Sequence, residues 1–500
     1  PKETTDISIF SEYPFNSVNI IAPDNSDGFI TQGGITYSID MSAVISCDRE
    51  KSGFYNMPST VTRIYDGAFS GCEKITGIRF SNKITSITYQ AFAGCSSLLS
   101  VELPSSLKTI EDKAFLGCSD IQELNFPESL EKIGSSAFEN NTNLKKINIP
   151  SSLQSIEGEA FAFTAITELT IPNTLKSIGN GAFSNNYALK KVTLPQSDLK
   201  IYEKAFFNCG IEELTLPAKL ELAGPEIFQC NNSLKKVTVE TGQTLAEDIF
   251  NDCSALQSVT LPNGLESIAK GAFSKCKSLK NISLPLSLKE IADSAFSESG
   301  LTSIDIPDSV EYIGDFAFEQ CEITKVRLPK SLKSTGKYIF AYCPITEIDF
   351  NGYSKSDYCA FLGTAIKELV LPDSVTTIAY RSFADCSELI KIEIPDTVIS
   401  IEANSFENTA WEKAQANGAL YLNKALYLYK GSLKDSDRTL KVKDGTKIIS
   451  SYWAYYSDPS VKTGLSAVIL PNSFERIDNY SFAGCRALRE INLPDKLCRI

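Results

Sequence analysis

Apolar and polar positions alternate along this chain in one phrase that repeats at intervals of 21 to 23 residues. Read at 98–118, its apolar skeleton is Leu98, Val101, Leu103-Pro104, Leu107, Ile110, Ala114-Phe115 and Cys118. Residues two apart on a strand share a face, so Val101 and Leu103 point inward and Glu102 outward. Pro104 has no N–H to give to a ladder and ends the strand. The segment Ser106-Leu107-x-x-Ile110 then turns the chain and returns two apolar anchors to the core. Small Ala114 lets neighbouring coils approach, and Phe115 fills the layer. The aromatic beat falls at Phe69, Phe92, Phe115, Phe138, Phe161, Phe183, Phe206, Phe228, Phe250, Phe273, Phe296, Phe318, Phe340, Phe361, Phe383 and Phe406, and returns at Phe482. One short strand per repeat cannot bury its own apolar face, so like strands of successive coils must pair in register. The pattern predicts a leucine-rich solenoid of about 18 coils, with a parallel sheet along one face.

The beat also divides the chain. Residues 1–56 lack it and contain strand-like patches at Ile7, Ile9, Val18 and Ile20, a turn at 23–28, and strands near 33–39 and 43–47. A segment of this kind caps the open end of a stack, where apolar side chains and strand edges would otherwise face water. Regular repeats fill 57–406. Between Phe406 and Phe482 the phrase fails, and 407–439 is expected to be an inserted hairpin and loop turning at Asn423-Lys424. Repeats resume over 440–500, with Trp453 in the aromatic slot, and the last phrase stops short of its aromatic, as in a repeat cut off within a unit.

Composition narrows the function. The 500 residues carry a formal net charge of −13, which disfavours nonspecific attraction to nucleic acid. Lys190-Lys191 and Lys235-Lys236 are separated by Glu212-Glu213 on the coil between them, so no basic stripe forms. No run of about 20 apolar residues is present to insert directly into a membrane. There is no histidine, which removes every Ser-His-Asp, Cys-His and His-metal arrangement.

Ten of the 14 cysteines follow the beat aromatic by three residues, from Cys72 to Cys485, and Cys230 comes one residue early. A residue recurring once per coil stacks on its own copies. Asn141 and Asn186 replace it elsewhere, so the slot is expected to hold a buried free thiol bonded to backbone. One cysteine per coil is not a tetrahedral site, and Asp435-Ser436-Asp437 alone is too few acids for calcium. No cofactor or metal is expected.

The repeat, almost intact at 256–276 as Leu256, Val259, Leu261-Pro262, Leu265, Ile268, Ala272-Phe273 and Cys276, resembles the BspA-like leucine-rich repeats of bacterial and protist surface proteins. The Gly34-Ile35-Thr36-Tyr37 start and Trp411 with Asn417-Gly418-Ala419-Leu420-Tyr421 also resemble the first unit and the recurrent insertion of such proteins. That resemblance implies a secreted or cell-surface adhesion scaffold without catalytic activity. Its expected partner is a protein, from host extracellular matrix or another cell's surface. Two alternatives stand beside it: a rigid spacer presenting another module, and a glycan-binding protein.

Two sets of residues are candidates for partner contact. The outward mid-strand column includes Thr170, Thr193, Thr215, Thr238, Thr260, Ser283, Asp305, Arg327 and Asp349, a ribbon of short polar groups that becomes charged. Threonine also simply suits a strand's wet face. Asp305 and Asp349 have the loose spacing of an inverting glycosidase pair, but Arg327 lies between them and is expected to pair with one or both. The second set, Tyr421, Tyr427, Tyr429, Tyr455 and Tyr456, concentrates aromatics where the repeat fails. Aromatics anchor interfaces, although the same rings could instead cover the irregular coil's core.

Overall fold

The computed structural model describes residues 28–240, 244–433 and 438–499. The patches at Ile7, Ile9, Val18 and Ile20, most of the turn at 23–28, the acids Asp435 and Asp437, and the terminal Ile500 lie outside the described residues. The fold is a parallel β-solenoid of about 19 leucine-rich coils. It divides into two compact units, one up to Pro262 and one from Asn263.

In the first unit the described chain opens with strands Phe29–Gln32, Ile35–Ser38 and Ala43–Cys47 paired antiparallel. Ala43–Cys47 then pairs in parallel with Arg63–Ile64, which starts the stack. The expected parallel sheet follows as short in-register ladders. The longest runs Glu168–Thr170, Lys191–Thr193, Glu213–Leu216, Lys236–Val239, Ser258–Thr260. Alternation holds: in Glu213–Leu216 the side chains are exposed, buried, exposed, buried.

A second parallel ribbon runs beside the first, built from two-residue strands. Its seven members pass from Ser86–Ile87 through Thr109–Ile110 and Lys132–Ile133 to Glu221–Leu222. These are the Ser-Leu-x-x-Ile segments. Leu107 and Ile110 are fully buried, as the apolar anchors of a turn should be, and Ile110, with Thr109, also forms the ladder.

Phe fills each layer. From Phe69 to Phe250 consecutive rings stack with centroids 4.6 to 6.1 Å apart, close to the roughly 4.8 Å between paired strands. Each ring is fully buried, and burying one contributes roughly 1.5–3 kcal/mol. The backbone reverses tightly around each ring. The residues two before and two after Phe206, Lys204 and Asn208, have φ of 56° and 54°. The same pair flanks Phe92 as Gln90 and Gly94. Side chains other than glycine rarely adopt this left-handed region.

The column after the ring is a set of hydrogen bonds between coils. Cys95 donates its thiol to the Phe69 carbonyl at 3.1 Å, and Cys118 to that of Phe92 at 3.0 Å. Asn141 and Asn186 make the same bond to Phe115 and Phe161, each at 2.9 Å. At the early Cys230 the coil is not shortened: Asn231 fills the slot and bonds to Phe206 at 2.9 Å. Cys72, Cys95, Cys118, Cys209, Cys321, Cys343 and Cys386 of the column are buried free thiols.

The second unit repeats these devices. Phe273, Phe296, Phe318, Phe340, Phe361, Phe383 and Phe406 stack in sequence at 5.1 to 5.9 Å. After Phe406 comes a short helix, Ala410–Ala414, capped by the Thr409 side chain accepting from the Glu412 N–H. Strands Gly418–Leu422 and Ala425–Lys430 then pair antiparallel, turning at Asn423 with φ 48°. Ala425–Lys430 pairs in parallel with Ile448–Ile449, and that strand with Arg476–Ile477. The order is that of the chain's opening: an antiparallel pair whose second strand starts a parallel ribbon. The interruption therefore restarts the stack. Trp453 takes the aromatic slot, is buried to 1 % exposure, and meets Phe482 edge to face at 6.0 Å.

Candidate functional site

The threonine column is on the surface, as its position on alternating strands requires. Thr170 lies opposite Thr193, and Thr215, Thr238 and Thr260 lie opposite one another in turn. All are exposed except half-buried Thr238. Beside these strands Lys190 pairs with Glu212 at 3.5 Å, and Lys191 and Lys236 flank Glu213 in strand register. A depression of about 600 Å³ lies over Thr193, Thr215 and Thr238, with Lys191, Glu213 and Lys236 around it. Its mixed charges leave no single sign for a ligand to answer.

In the second unit Ser283, Asp305, Arg327 and Asp349 are also exposed. Arg327 sits opposite Asp349, with Nε to Oδ2 at 3.8 Å, and places its guanidinium 3.1 Å from Asp308. Arg327 is thus held by Asp349 and by an acid outside the column rather than by Asp305.

The tyrosines separate into two groups. Tyr427 and Tyr429 are 2 % and 5 % exposed, which removes them as partner contacts. The restart strand Ala425–Lys430 turns both into the core, where the Tyr427 hydroxyl accepts from the Phe406 N–H at 3.0 Å. Tyr421 is half-buried against the same core, and its hydroxyl accepts from the Lys443 N–H at 3.1 Å. Tyr455 and Tyr456 are on the surface, 52 % and 38 % exposed. Buried Trp453 anchors the single-turn helix Trp453–Tyr456, and this places the two tyrosines outside.

They belong to a larger cluster. Tyr358, Tyr380, Tyr452, Tyr456 and Tyr480 wall a depression of about 480 Å³, floored by Ser400, Glu402, Ser451, Arg476, Asp478 and Asn479. It joins the last regular coils to the restarted ones. Tyr452 stacks on Tyr480 at 4.9 Å and 21°, and meets Tyr456 at 6.2 Å and 68°. Tyr380 lies 6.1 Å from Tyr456 at 45° and 5.1 Å from Tyr358. On the floor Arg476 pairs with Asp478 at 2.7 Å, and Asp478 also accepts from Ser400 at 2.6 Å. Glu402 accepts from the Tyr380 N–H at 2.9 Å. A hydrogen bond with Tyr380, reinforced by partial burial, pushes the Tyr456 phenol up to about 12. That phenol stays uncharged through the physiological range.

Tyr358, Tyr380, Tyr452 and Tyr480 were not among the residues singled out from the sequence. A signal for two of them existed: Tyr358 and Tyr380 each precede a beat phenylalanine, Phe361 and Phe383, by three residues. Side chains one repeat apart stack in a solenoid, so such a pair marks an aromatic column. Among the described residues no group of His, Cys, Asp and Glu could hold a metal ion, and no helix is long and apolar enough to cross a membrane.

Coils of this phrase, stacked on two parallel ribbons, define a leucine-rich repeat scaffold. The chain belongs to the BspA type leucine-rich repeat family, whose repeat region matches it over residues 39–164, 154–254, 243–359, 354–452 and 447–500. Among solved structures it is similar to a leucine-rich repeat protein from Bacteroides ovatus, with 22 % identity over 94 % of this chain and 93 % of that one and a TM-score of 0.45. It is also similar to a leucine-rich cell surface protein from Faecalibacterium prausnitzii, with 20 % identity over 94 % and 95 % and a TM-score of 0.36. The pneumococcal vaccine antigen PcpA shares 20 % identity over 81 % of this chain and 94 % of its own, with a TM-score of 0.37. No curated protein matches the chain.

Proposed function

We propose that this chain is an extracellular or cell-surface adhesion scaffold that binds a protein partner and catalyses no reaction. The observation that carries this is the cluster of solvent-exposed tyrosines around the depression at the restart of the stack. Exposed aromatic rings beside a concavity are the side chains that anchor interfaces, because they bury large area with few rotatable bonds. Membership of the BspA type family supports the surface location, and the absence of histidine supports a binding role over acid-base chemistry. A partner from host matrix or another cell's surface fits that location.

The test is a binding array of immobilised matrix proteins and glycans, probed with the full chain and two triple variants. One carries Tyr452→Ala, Tyr456→Ala and Tyr480→Ala; the other carries Thr193→Ala, Thr215→Ala and Thr238→Ala. The proposal expects a matrix protein to be bound, and the tyrosine variant to lose that binding while keeping its melting temperature. Capture of no protein overturns adhesion and favours a spacer. Loss in the threonine variant alone moves the interface to the strand face.

A further inference from the structure

We infer that the tyrosine-walled depression accepts a cationic side chain, the guanidinium or ammonium group of an arginine or lysine that the protein partner presents. This rests on the binding function proposed above and names the chemistry of its central contact.

Ring geometry is the first support. A flat platform, which a sugar ring needs, requires coplanar aromatic faces. Here Tyr456 stands at 68° to Tyr452 and 45° to Tyr380, with centroids 6.2 and 6.1 Å apart. Rings set at such angles do not make one flat platform, and a cation among them can approach more than one π face, the arrangement that holds a cation. Rings of the same cluster already hold cations of this chain. Lys462 Nζ lies 4.4 Å from the centroid of Tyr455, and Lys337 Nζ lies 5.3 Å from that of Tyr358.

The charges on the floor are the second support. Arg476, Asp478 and Glu402 line the depression. Arg476 and Asp478 neutralise each other, and Asp478 is buried to 6 % exposure beneath the Ser400 hydroxyl. Glu402 is exposed, and its carboxylate accepts from the backbone N–H of Tyr380 at 2.9 Å without a cation of this chain paired to it among the described residues. One carboxylate is therefore left to answer an incoming positive charge. Of the neighbouring cations, Arg381 is spent on Asp385 at 2.8 Å and Glu407 at 2.9 Å, while Lys337 and Lys462 lie over Tyr358 and Tyr455. The volume of about 480 Å³ admits a guanidinium and its aliphatic stem. A chain of net charge −13 also draws basic partners toward it.

The experiment measures binding of the full chain to three immobilised peptides: acetyl-Gly-Arg-Gly-Arg-Gly-amide, its lysine counterpart, and its citrulline counterpart, which keeps the shape and loses the charge. The arginine peptide is expected to bind about 5- to 30-fold more tightly than the citrulline peptide. Glu402→Gln and Tyr456→Leu should each remove most of that difference, whereas Tyr456→Phe, which keeps the ring, and Thr215→Ala should not. Melting temperatures check that every variant is folded. Equal binding of arginine and citrulline peptides, or no binding of either charged peptide, overturns the inference. So does binding of a neutral oligosaccharide that Tyr456→Leu abolishes, which would make the depression a glycan site. The two proposals fail separately. A matrix protein lost by the tyrosine triple variant but indifferent to Glu402→Gln leaves adhesion standing and removes the cation. Discrimination between peptides with no matrix protein bound does the reverse.

Discussion

The thiol of Cys95 donates to the carbonyl of Phe69, one coil earlier, at 3.1 Å. Phe69 is fully buried, so when the thiol is removed its carbonyl keeps the Cys72 N–H at 3.0 Å and gains no water in place of the thiol. Cys95→Ala is expected to lower stability by about 1–2 kcal/mol, the cost of a buried acceptor losing a weak donor. Asn186 makes more of the same slot, bonding the carbonyls of Phe161 and Phe183 and accepting from the N–H of Thr164. Asn186→Ala should therefore cost more, about 2–4 kcal/mol, since several buried groups lose partners together. Guanidinium denaturation followed by circular dichroism ranks the two.

Burial also protects the thiols. It pushes Cys209 and Cys321 up to about 12 and Cys386 up to about 11. At pH 8 these groups are thiols rather than thiolates, and only the thiolate alkylates readily. Iodoacetamide on the native chain should modify exposed Cys498 first, then half-buried Cys230 and Cys485, while the hydrogen bond with Cys72 raises half-buried Cys47 and slows it. The fully buried members of the column from Cys95 to Cys386 should react only after denaturation. Peptide mass spectrometry before and after guanidinium reads the difference, and rapid native labelling of Cys209 or Cys321 would contradict the packing.

Left-handed residues around each ring make a third expectation. Lys113, two residues before Phe115, has φ 58°. Glycine takes this conformation without strain, whereas a β-branched residue is disfavoured there. Lys113→Gly should be neutral or stabilising, and Lys113→Val destabilising by about 1–2 kcal/mol. The contrast in denaturation midpoint between the two variants is the measurement.

Much of this architecture is legible in the chain because a period stacks like on like. Phe115 and Cys118 declare their roles by recurring, and the structure places them on a buried stack and an inter-coil bond. The second ribbon was not legible, because strands such as Ser86–Ile87 are two residues long and too short to show alternation. The left-handed positions were hidden because Lys, Asn, Glu and Gln together occupy them more often than glycine does. In the candidate site, Tyr455 and Tyr456 stood out as an aromatic run and are exposed. Tyr427 and Tyr429 stood out equally, but their strand is a starting strand of the restarted ribbon and faces the core. Tyr358 and Tyr380 sit inside regular repeats, where attention to the motif passes over them.

Gly300 tests how closely the coils approach. A Cβ there would lie 2.0 Å from the carbonyl oxygen of Lys277, on the preceding coil. The Gly300 N–H also bonds the Cys276 carbonyl at 3.0 Å, so the two backbones cannot separate without breaking that contact. Gly300→Ala should cost about 1–3 kcal/mol through overpacking. Gly264 is the control, since a Cβ there meets nothing within 4 Å and its backbone is not left-handed. Gly264→Ala should leave stability unchanged or raise it by about 0.4–1 kcal/mol, because alanine narrows the unfolded ensemble. Equal denaturation midpoints for the two variants would mean that the coils yield at Gly300. A fall confined to Gly300→Ala would mean that backbone contact sets their spacing there.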